Sequence, residues 1–359
     1  MTTSMANNNQ AAREASDKQA VPATTGAKGL HLVSGGQPDP AESPPRASSG
    51  FQGRLPANEH AWRTRQLNDS GLNADAINTL VGTGVLLRVR RGGYVRTTYW
   101  DSLTWLGQEK ARIFLHAHTA VASERTRSVY SHASAARLHG LPLWKADNFI
   151  HITRAGKSST AEKASDVRVH CLQLRDDECT VIDGLPVTNL LRTTVDCALT
   201  MNYQQALILM DHALRSGIHR ATLEREAQAL DGHRGIRIFR AALNFASALS
   251  ESAGESLTRD LIRICGIEPA HLQFTVSTRK GLYRADFAWP AYKVILEFDG
   301  AGKYFNYRPT QEVLRDERIR ENCLIELGWS IIRIEWADLF NEHAFKTRLV
   351  AALRKGGMK

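Results

Sequence analysis

A chain of 359 residues with 43% hydrophobic and 23% charged side chains has the balance of a water-soluble globular protein and the length for two or three cores of roughly 100 to 150 residues. Its five cysteines are odd in number, widely spaced and never in a C-x-x-C pair, which counts against a disulfide framework or a zinc knuckle and fits a reducing cytoplasm. The net charge of +9 is local: residues 51–144 hold twelve Lys/Arg against six Asp/Glu, a concentration that suits contact with a polyanion as well as an ordinary solvated face.

Residues 1–56 are Ala, Ser, Thr, Pro, Gly and Asn with scarcely a large apolar side chain, so burial cannot offset the entropy of ordering and the stretch reads as a disordered tail. MTTSMANNNQ lacks a basic region leading into an apolar core, and no run approaches the ~18 apolar residues of a membrane span. A cytoplasmic protein with no membrane partner is expected.

Residues 57–144 predict two short helices and a wing. ANEHAWRTRQLNDSG and LNADAINTLVGTG carry helical spacing, and VLLRVRRGGYVRTTYW alternates around a Gly-Gly turn. Asn73, Asn78, Thr79 and Thr83 on the second helix offer polar groups to base edges. Arg63 and Arg65, with Arg88, Arg90, Arg91, Tyr94 and Arg96 around the hairpin, form a basic surface able to follow a phosphate backbone; the alternative is a solvated hairpin in a protein-protein adaptor. SVYSHASAARLHGLPLW reads as a helix that stops at Gly140 and Pro142. The helix-helix-wing order together with SHASAARLHGL resembles the N-terminal region of AbiEi-type antitoxins, which implies a winged helix-turn-helix, DNA as partner and a cognate toxin.

Residues 145–250 form a mixed region, with strands near FIHITRAG and VRVHCLQL and helices near LLRTTVDCALT and YQQALILMDHALRSG. It shows no catalytic motif and reads as a linker or scaffold. GLPVTNLLRTTVDCALT is similar to the segment that joins the flanking modules in such bacterial chains.

Residues 251–359 predict an α-β-β-β-α-β unit from GESLTRDLIRIC, HLQFTVS, LYRADFAW, KVILEFDG, QEVLRDERIRENCLIEL and WSIIRIEW. With Ala288 paired to Lys293, strand alternation sets Asp286, Ile295, Glu297 and Asp299 on one face and Val294, Leu296 and Phe298 on the other, with Asp286 and Glu297 a diagonal pair roughly 7 Å apart. Acids so crowded repel, and a divalent cation removes the repulsion. Glu255 is a further acid, although Ser252 and Glu255 also fit an S-x-x-E capping box and Glu255 could pair with Arg259. Asp299 before Gly300 could shape a turn, Asp286 and Glu297 could pair with Arg284 or Arg320, and Glu317 with Arg320 has the spacing of a surface ion pair.

The acids eleven residues apart on adjacent strands resemble the PD-(D/E)XK nuclease superfamily. ESLTRDLI, RADFAWP, KVILEFDG, RENCLIELGW and IIRIEW together are similar to a bacterial domain family related to very-short-patch repair endonucleases. The resemblance implies a restriction-endonuclease-like core holding Mg²⁺ or Mn²⁺ on Asp286, Glu297 and Glu255. Asp299 stands where the superfamily has lysine, although E-x-D-G is usual in the narrower family, and Lys303 stands where that family more often has histidine; Lys303 or Arg320 could supply the missing cation. The expected protein is an α+β or α/β multidomain DNA endonuclease. A non-catalytic, antitoxin-like regulator with a degenerate nuclease fold is the alternative. The H-x-H of His116 and His118 has no third ligand nearby, and no phosphate-binding glycine motif is present.

Overall fold

The computed structural model describes residues 51–55, 59–120, 128–156, 165–300 and 311–359. Residues 1–50 of the expected tail, and Lys303, lie outside the described residues. The fold is mixed α and β, with three sheets among the described residues, in keeping with the α+β multidomain expectation. No helix among the described residues is long and apolar enough to cross a membrane. The described chain divides into two compact units, residues 51–140 with 147–193, and residues 141–146 with 194–359, so the stretch 145–250 contributes to both.

The first unit begins with β1 (Ala61–Arg63), α1 (Thr64–Asp69), α2 (Ala74–Gly82) and the hairpin β2 (Leu86–Arg90) and β3 (Gly93–Arg96). A helix over 57–71 is thus corrected at its start. Trp62 lies opposite Tyr94 in the antiparallel β1–β3 ladder and is 1% exposed, and burying an indole outweighs the weak helical preference of so short a segment. Leu67, Leu72, Ile77, Leu80 and Leu86 complete this core. Phe51 and Leu55 pack into it as well, so residues 51–55, expected within the tail, belong to this core instead.

Two helices follow, α3 (Thr97–Ser102) and α4 (Trp105–Ala120), then β4 (Val129–Tyr130), α5 (His132–His139), β5 (Ile150–Arg154), β6 (Val167–Cys171), β7 (Cys179–Ile182) and β8 (Leu185–Thr188). The five strands order as β6-β5-β4-β8-β7. Ile113, Tyr130, Leu138, Ile150, Ile152 and Val187 form the core here. α5 stops where expected, with Gly140 in the left-handed region at φ 75°, a conformation that glycine adopts without a Cβ penalty.

After α6 (Leu190–Thr200), the second unit holds α7 (Tyr203–Arg215), α8 (Arg220–Ala229), α9 (Ile236–Phe245), α10 (Ala253–Ile264), β9 (His271–Thr278), β10 (Gly281–Trp289), β11 (Val294–Phe298), α11 (Gln311–Glu326), β12 (Ser330–Ile334) and α12 (Glu342–Lys355). From α10 to β12 this is the α-β-β-β-α-β order read from the sequence. The sheet runs β12-β11-β10-β9, antiparallel except for the parallel β11–β12 pair, which α11 connects as a parallel crossover requires. Phe287, Trp289, Val294, Leu296 and Phe298 pack with Leu261 and Ile262 of α10 and Phe345, Leu349 and Leu353 of α12. Ala288 and Ile295 join a second cluster with Leu324 of α11 and Trp329.

Two contacts fix α10. Arg259 Nη2 reaches both carboxylate oxygens of Asp211 on α7, at 2.8 and 2.7 Å. At the start of the helix, Gly254 faces Phe298 so closely that an added Cβ would fall 2.0 Å from the ring. Gly254→Ala is therefore expected to force ring or helix aside at a cost of about 1–3 kcal/mol, read as a lower urea midpoint with an unchanged m-value.

Candidate functional site

The site lies where β10 and β11 part. Their ladder pairs Trp289 with Val294, Ala288 with Ile295 and Phe287 with Leu296. The expected pairing of Ala288 with Lys293 is therefore corrected by two residues. Pro290–Tyr292 takes a 3₁₀ turn and Lys293 closes it at φ 54°, making a four-residue connection. Parity is kept, so Val294, Leu296 and Phe298 still share the core face, but the register carried one step on sets Asp286 opposite Glu297 rather than diagonal to it.

On the other side of β10 the ladder with β9 pairs Ala285 with Phe274 and Phe287 with Leu272 but skips Asp286 and Gln273. Gln273 has φ 50°, and a non-glycine residue there marks a local break. Ala285 and Ala288 both join the second core cluster, as an interruption of strict alternation allows. The Asp286 carboxylate accepts the Phe298 N–H, 3.0 Å away.

Half-buried Glu297 accepts the Tyr283 hydroxyl through Oε1. Burial and the Glu297 carboxylate push the Tyr283 pKa up, so the phenol stays a donor. Glu297 also pairs in register with Arg333 of β12. Burial opposes the charge of Arg333, yet Glu317, Glu321 and Glu297 hold its pKa above the usual value. The guanidinium lies 3.0 Å from Glu317 and 3.6 Å from Glu321.

Glu255 opens α10 and is 8% exposed. Ser252 Oγ accepts the Glu255 N–H at 3.1 Å and donates to Oε1 at 2.9 Å, while Oε2 accepts from Glu251 N–H and Gln273 Nε2 at 2.8 and 2.9 Å. The capping role is thus present, with the return bond reaching Glu251 rather than Ser252. Burial first, and the negative Asp286 next, raise the Glu255 pKa to about 7. A folded-state pKa above the unfolded value means that the contribution of Glu255 to stability is fully present below about pH 4.5 and is lost as pH rises through about 7. The melting temperature of the wild type is expected to fall between pH 5 and 8 more steeply than that of Glu255→Gln; equal slopes would refute the assignment.

The remaining expected residues are less concentrated. The Asp299 N–H bonds to Ile334 O at 2.8 Å, prolonging the β11–β12 ladder, and alternation sets its side chain on the Glu297 face. Arg320 is exposed. The expected Glu317–Arg320 pair is replaced by Glu317–Arg333. Arg284 bonds Glu251 at 2.8 Å, and Arg259 turns to Asp211 instead of Glu255. Tyr283, Gln273 and Arg333 were not expected; the in-register Glu297–Arg333 neighbours were hidden because parallel pairing spans a crossover.

Of the expected DNA-contacting residues in the first unit, Arg65, Arg88 and Arg91 are exposed, while Arg63 and Arg96 are half-buried. The Arg96 guanidinium lies 5.5 Å from the centre of the Trp62 ring. Two assignments are corrected. Tyr94 is buried in the β1–β3 core, where its ring cannot stack on bases. Arg90, with 8% of its side chain exposed, binds Asp166 at 3.1 Å, so its charge is spent within the fold. On α2, Asn73 Oδ1 caps the helix through Ala76 N–H, and the Thr79 and Thr83 hydroxyls donate to backbone carbonyls one turn back, while Asn78 is exposed.

No protein-family model matches the chain. It is 34% identical over 152 residues to uncharacterized proteins of two Mycobacterium tuberculosis strains, CDC 1551 / Oshkosh and ATCC 25618 / H37Rv; the match covers 42% of this chain and 55% of each relative. The chain thus spans about half the length of the curated relatives it matches.

Proposed function

We propose that the chain is a metal-dependent DNA endonuclease whose acids Asp286 and Glu297 hold Mg²⁺ or Mn²⁺ against a phosphodiester. The observation that carries this reading is the crowding of carboxylates where β10 and β11 part: the register sets Asp286 opposite Glu297, and the negative Asp286 adds to the burial that raises Glu255 to about 7, a charge that a cation would relieve. The donor set is all oxygen and suits a hard cation. Such an ion would polarise a phosphoryl oxygen and lower the pKa of a bound water.

The protein's part is orientation. Phe298 N–H fixes one oxygen of Asp286 and the Tyr283 hydroxyl fixes Glu297, so both ligands are held before substrate arrives. The resemblance to the PD-(D/E)XK superfamily and its very-short-patch-repair-like branch agrees with the α-β-β-β-α-β order. In the first unit, the helix-helix-hairpin order agrees with a winged helix-turn-helix, and exposed Arg65, Arg88 and Arg91 supply the charge for backbone contact.

One observation favours the antitoxin-like regulator as a second reading. The Glu255 carboxylate already accepts from three donors around the start of α10, which makes it a structural acid as much as a third ligand.

The test is incubation of the full chain with supercoiled plasmid and Mg²⁺ or Mn²⁺, read by gel for cutting and by mobility shift for binding. Nicking that a chelator abolishes supports the nuclease. DNA retained but uncut with both ions supports the regulator, and neither binding nor cutting overturns both.

A further inference from the structure

Residues 145–250 carry no catalytic motif, yet the fold brings two of their histidines together with a third, from the preceding helix, in the first unit. His132 is the first residue of α5, His151 lies on β5 and His170 on β6. The parallel β5–β6 register pairs His151 with Arg168 and Thr153 with His170, which makes the two histidines a diagonal pair on one face. α5 is tied to β5 by Ser134 Oγ, which accepts the His151 N–H at 2.8 Å. One nitrogen from each ring lies within 4.8 Å of the others.

We propose that His132, His151 and His170 bind a divalent cation of the zinc class, with Asp147 as the outer partner that orients His151. Three observations carry it. His151 Nε2 lies 2.8 Å from Asp147 Oδ1, and an ionised carboxylate only accepts, so Nε2 carries the proton and Nδ1 presents its lone pair to the cluster. A histidine donating its outer N–H to a carboxylate is the usual support of an imidazole ligand.

Next, His151 Nδ1 and His170 Nε2 are 2.9 Å apart. Two imidazole nitrogens each at ~2.05 Å from a tetrahedral ion would be about 3.3 Å apart, so a small opening admits the cation in place of the shared proton, with His170 moving to its Nδ1–H tautomer. His132 stacks on His170 with centroids 3.6 Å apart and planes 12° from parallel. Seating an ion therefore swings half-buried His170 about χ2, a broad, soft torsion.

The third observation is backbone strain. His132 has φ 48°, a left-handed conformation in a buried non-glycine residue, and such outliers cost on the order of 1–3 kcal/mol and gather at functional sites. Burial keeps the rings neutral as well, taking His132 down to about 2 and His170 to about 4.

Neutral imidazoles select a late first-row ion over Mg²⁺. Arg168, 3.6 Å from Asp147, works against any hard cation held by charge alone. Three protein ligands leave a fourth position for water or an outside ligand.

The proposal is independent of the nuclease reading. Full-length protein, stripped with chelator and desalted, is titrated with Zn²⁺ and separately with Mg²⁺, with bound metal counted by mass spectrometry and Co²⁺ absorption reporting geometry. One zinc per chain is expected, with a tetrahedral cobalt spectrum and no competition from Mg²⁺. Asp147→Asn should weaken zinc by about 10- to 100-fold. His151→Gln should weaken it further, as should His170→Gln, which is half-exposed and so tolerates change. Asp286→Asn should retain the zinc. Wild type and a folded His170→Gln binding zinc alike, or wild type binding none, would overturn the proposal.

Discussion

Asp286→Asn and Glu297→Gln are each expected to lower the rate of Mg²⁺-dependent plasmid nicking by about two to three orders of magnitude while leaving DNA binding within a few-fold of wild type. A metal that polarises a phosphoryl oxygen contributes several kcal/mol to the transition state, and each ~1.4 kcal/mol is a factor of ten. Both substitutions keep the side-chain shape and remove only the charge. The amide can still accept from Phe298 N–H at 286 or from Tyr283 at 297, the bonds made by the native acids, so the fold is conserved. Single-turnover nicking by purified variants, with mobility shift alongside, checks the split. Variants that cut as fast as wild type would place any activity elsewhere.

The second large effect concerns stability. Arg259→Met is expected to cost about 3–5 kcal/mol, because it leaves Asp211, 1% exposed, as a buried charge without its counter-ion. The guanidinium also reaches Phe245 O and Ser250 Oγ, so its loss disturbs the segment leading into α10. Asp211 does not depend on Arg259 alone, since Oδ1 accepts the Ser247 N–H at 2.7 Å. Adding Asp211→Asn to Arg259→Met should therefore recover part of the loss by removing the charge while keeping an acceptor for Ser247. Urea denaturation of the single and double variants tests this, and a double variant no more stable than Arg259→Met would deny the role of the uncompensated charge.

Much of the second unit was legible in the sequence because its signals are local. Alternation marks β10 and β11, Trp-Pro-Ala-Tyr marks the turn, and two acids eleven residues apart on adjacent strands stay near each other in the observed register and in the one two residues away. What was not legible depends on backbone choices or on distant partners. Nothing in the letters shows that Lys293 and Gln273 adopt positive φ, yet the first sets the register and the second breaks the ladder beside Asp286. Arg90 looked like a DNA ligand until its partner, Asp166, arrived from 76 residues away. Tyr94 and Trp62 turned inward because β1 pairs with β3, a strand hidden inside what read as a helix. The three histidines are separated by nineteen residues each time, and only the β5–β6 pairing together with the packing of α5 on β5 makes them neighbours.

Strand partners are counted outward from their turn, so the Pro290–Lys293 connection meters a distance at the far end of the hairpin. The core senses only whether that count is odd or even, since a shift of two leaves each side chain on its own face. The carboxylates sense the count itself: two extra residues absorbed into the ladder would leave Glu297 on a diagonal about 7 Å from Asp286, and four would carry it about 14 Å away, while the packing behind them stayed whole. The length of one short turn can thus retire the chemistry and spare the fold, and that length in any relative is a first indicator of whether the acids still meet.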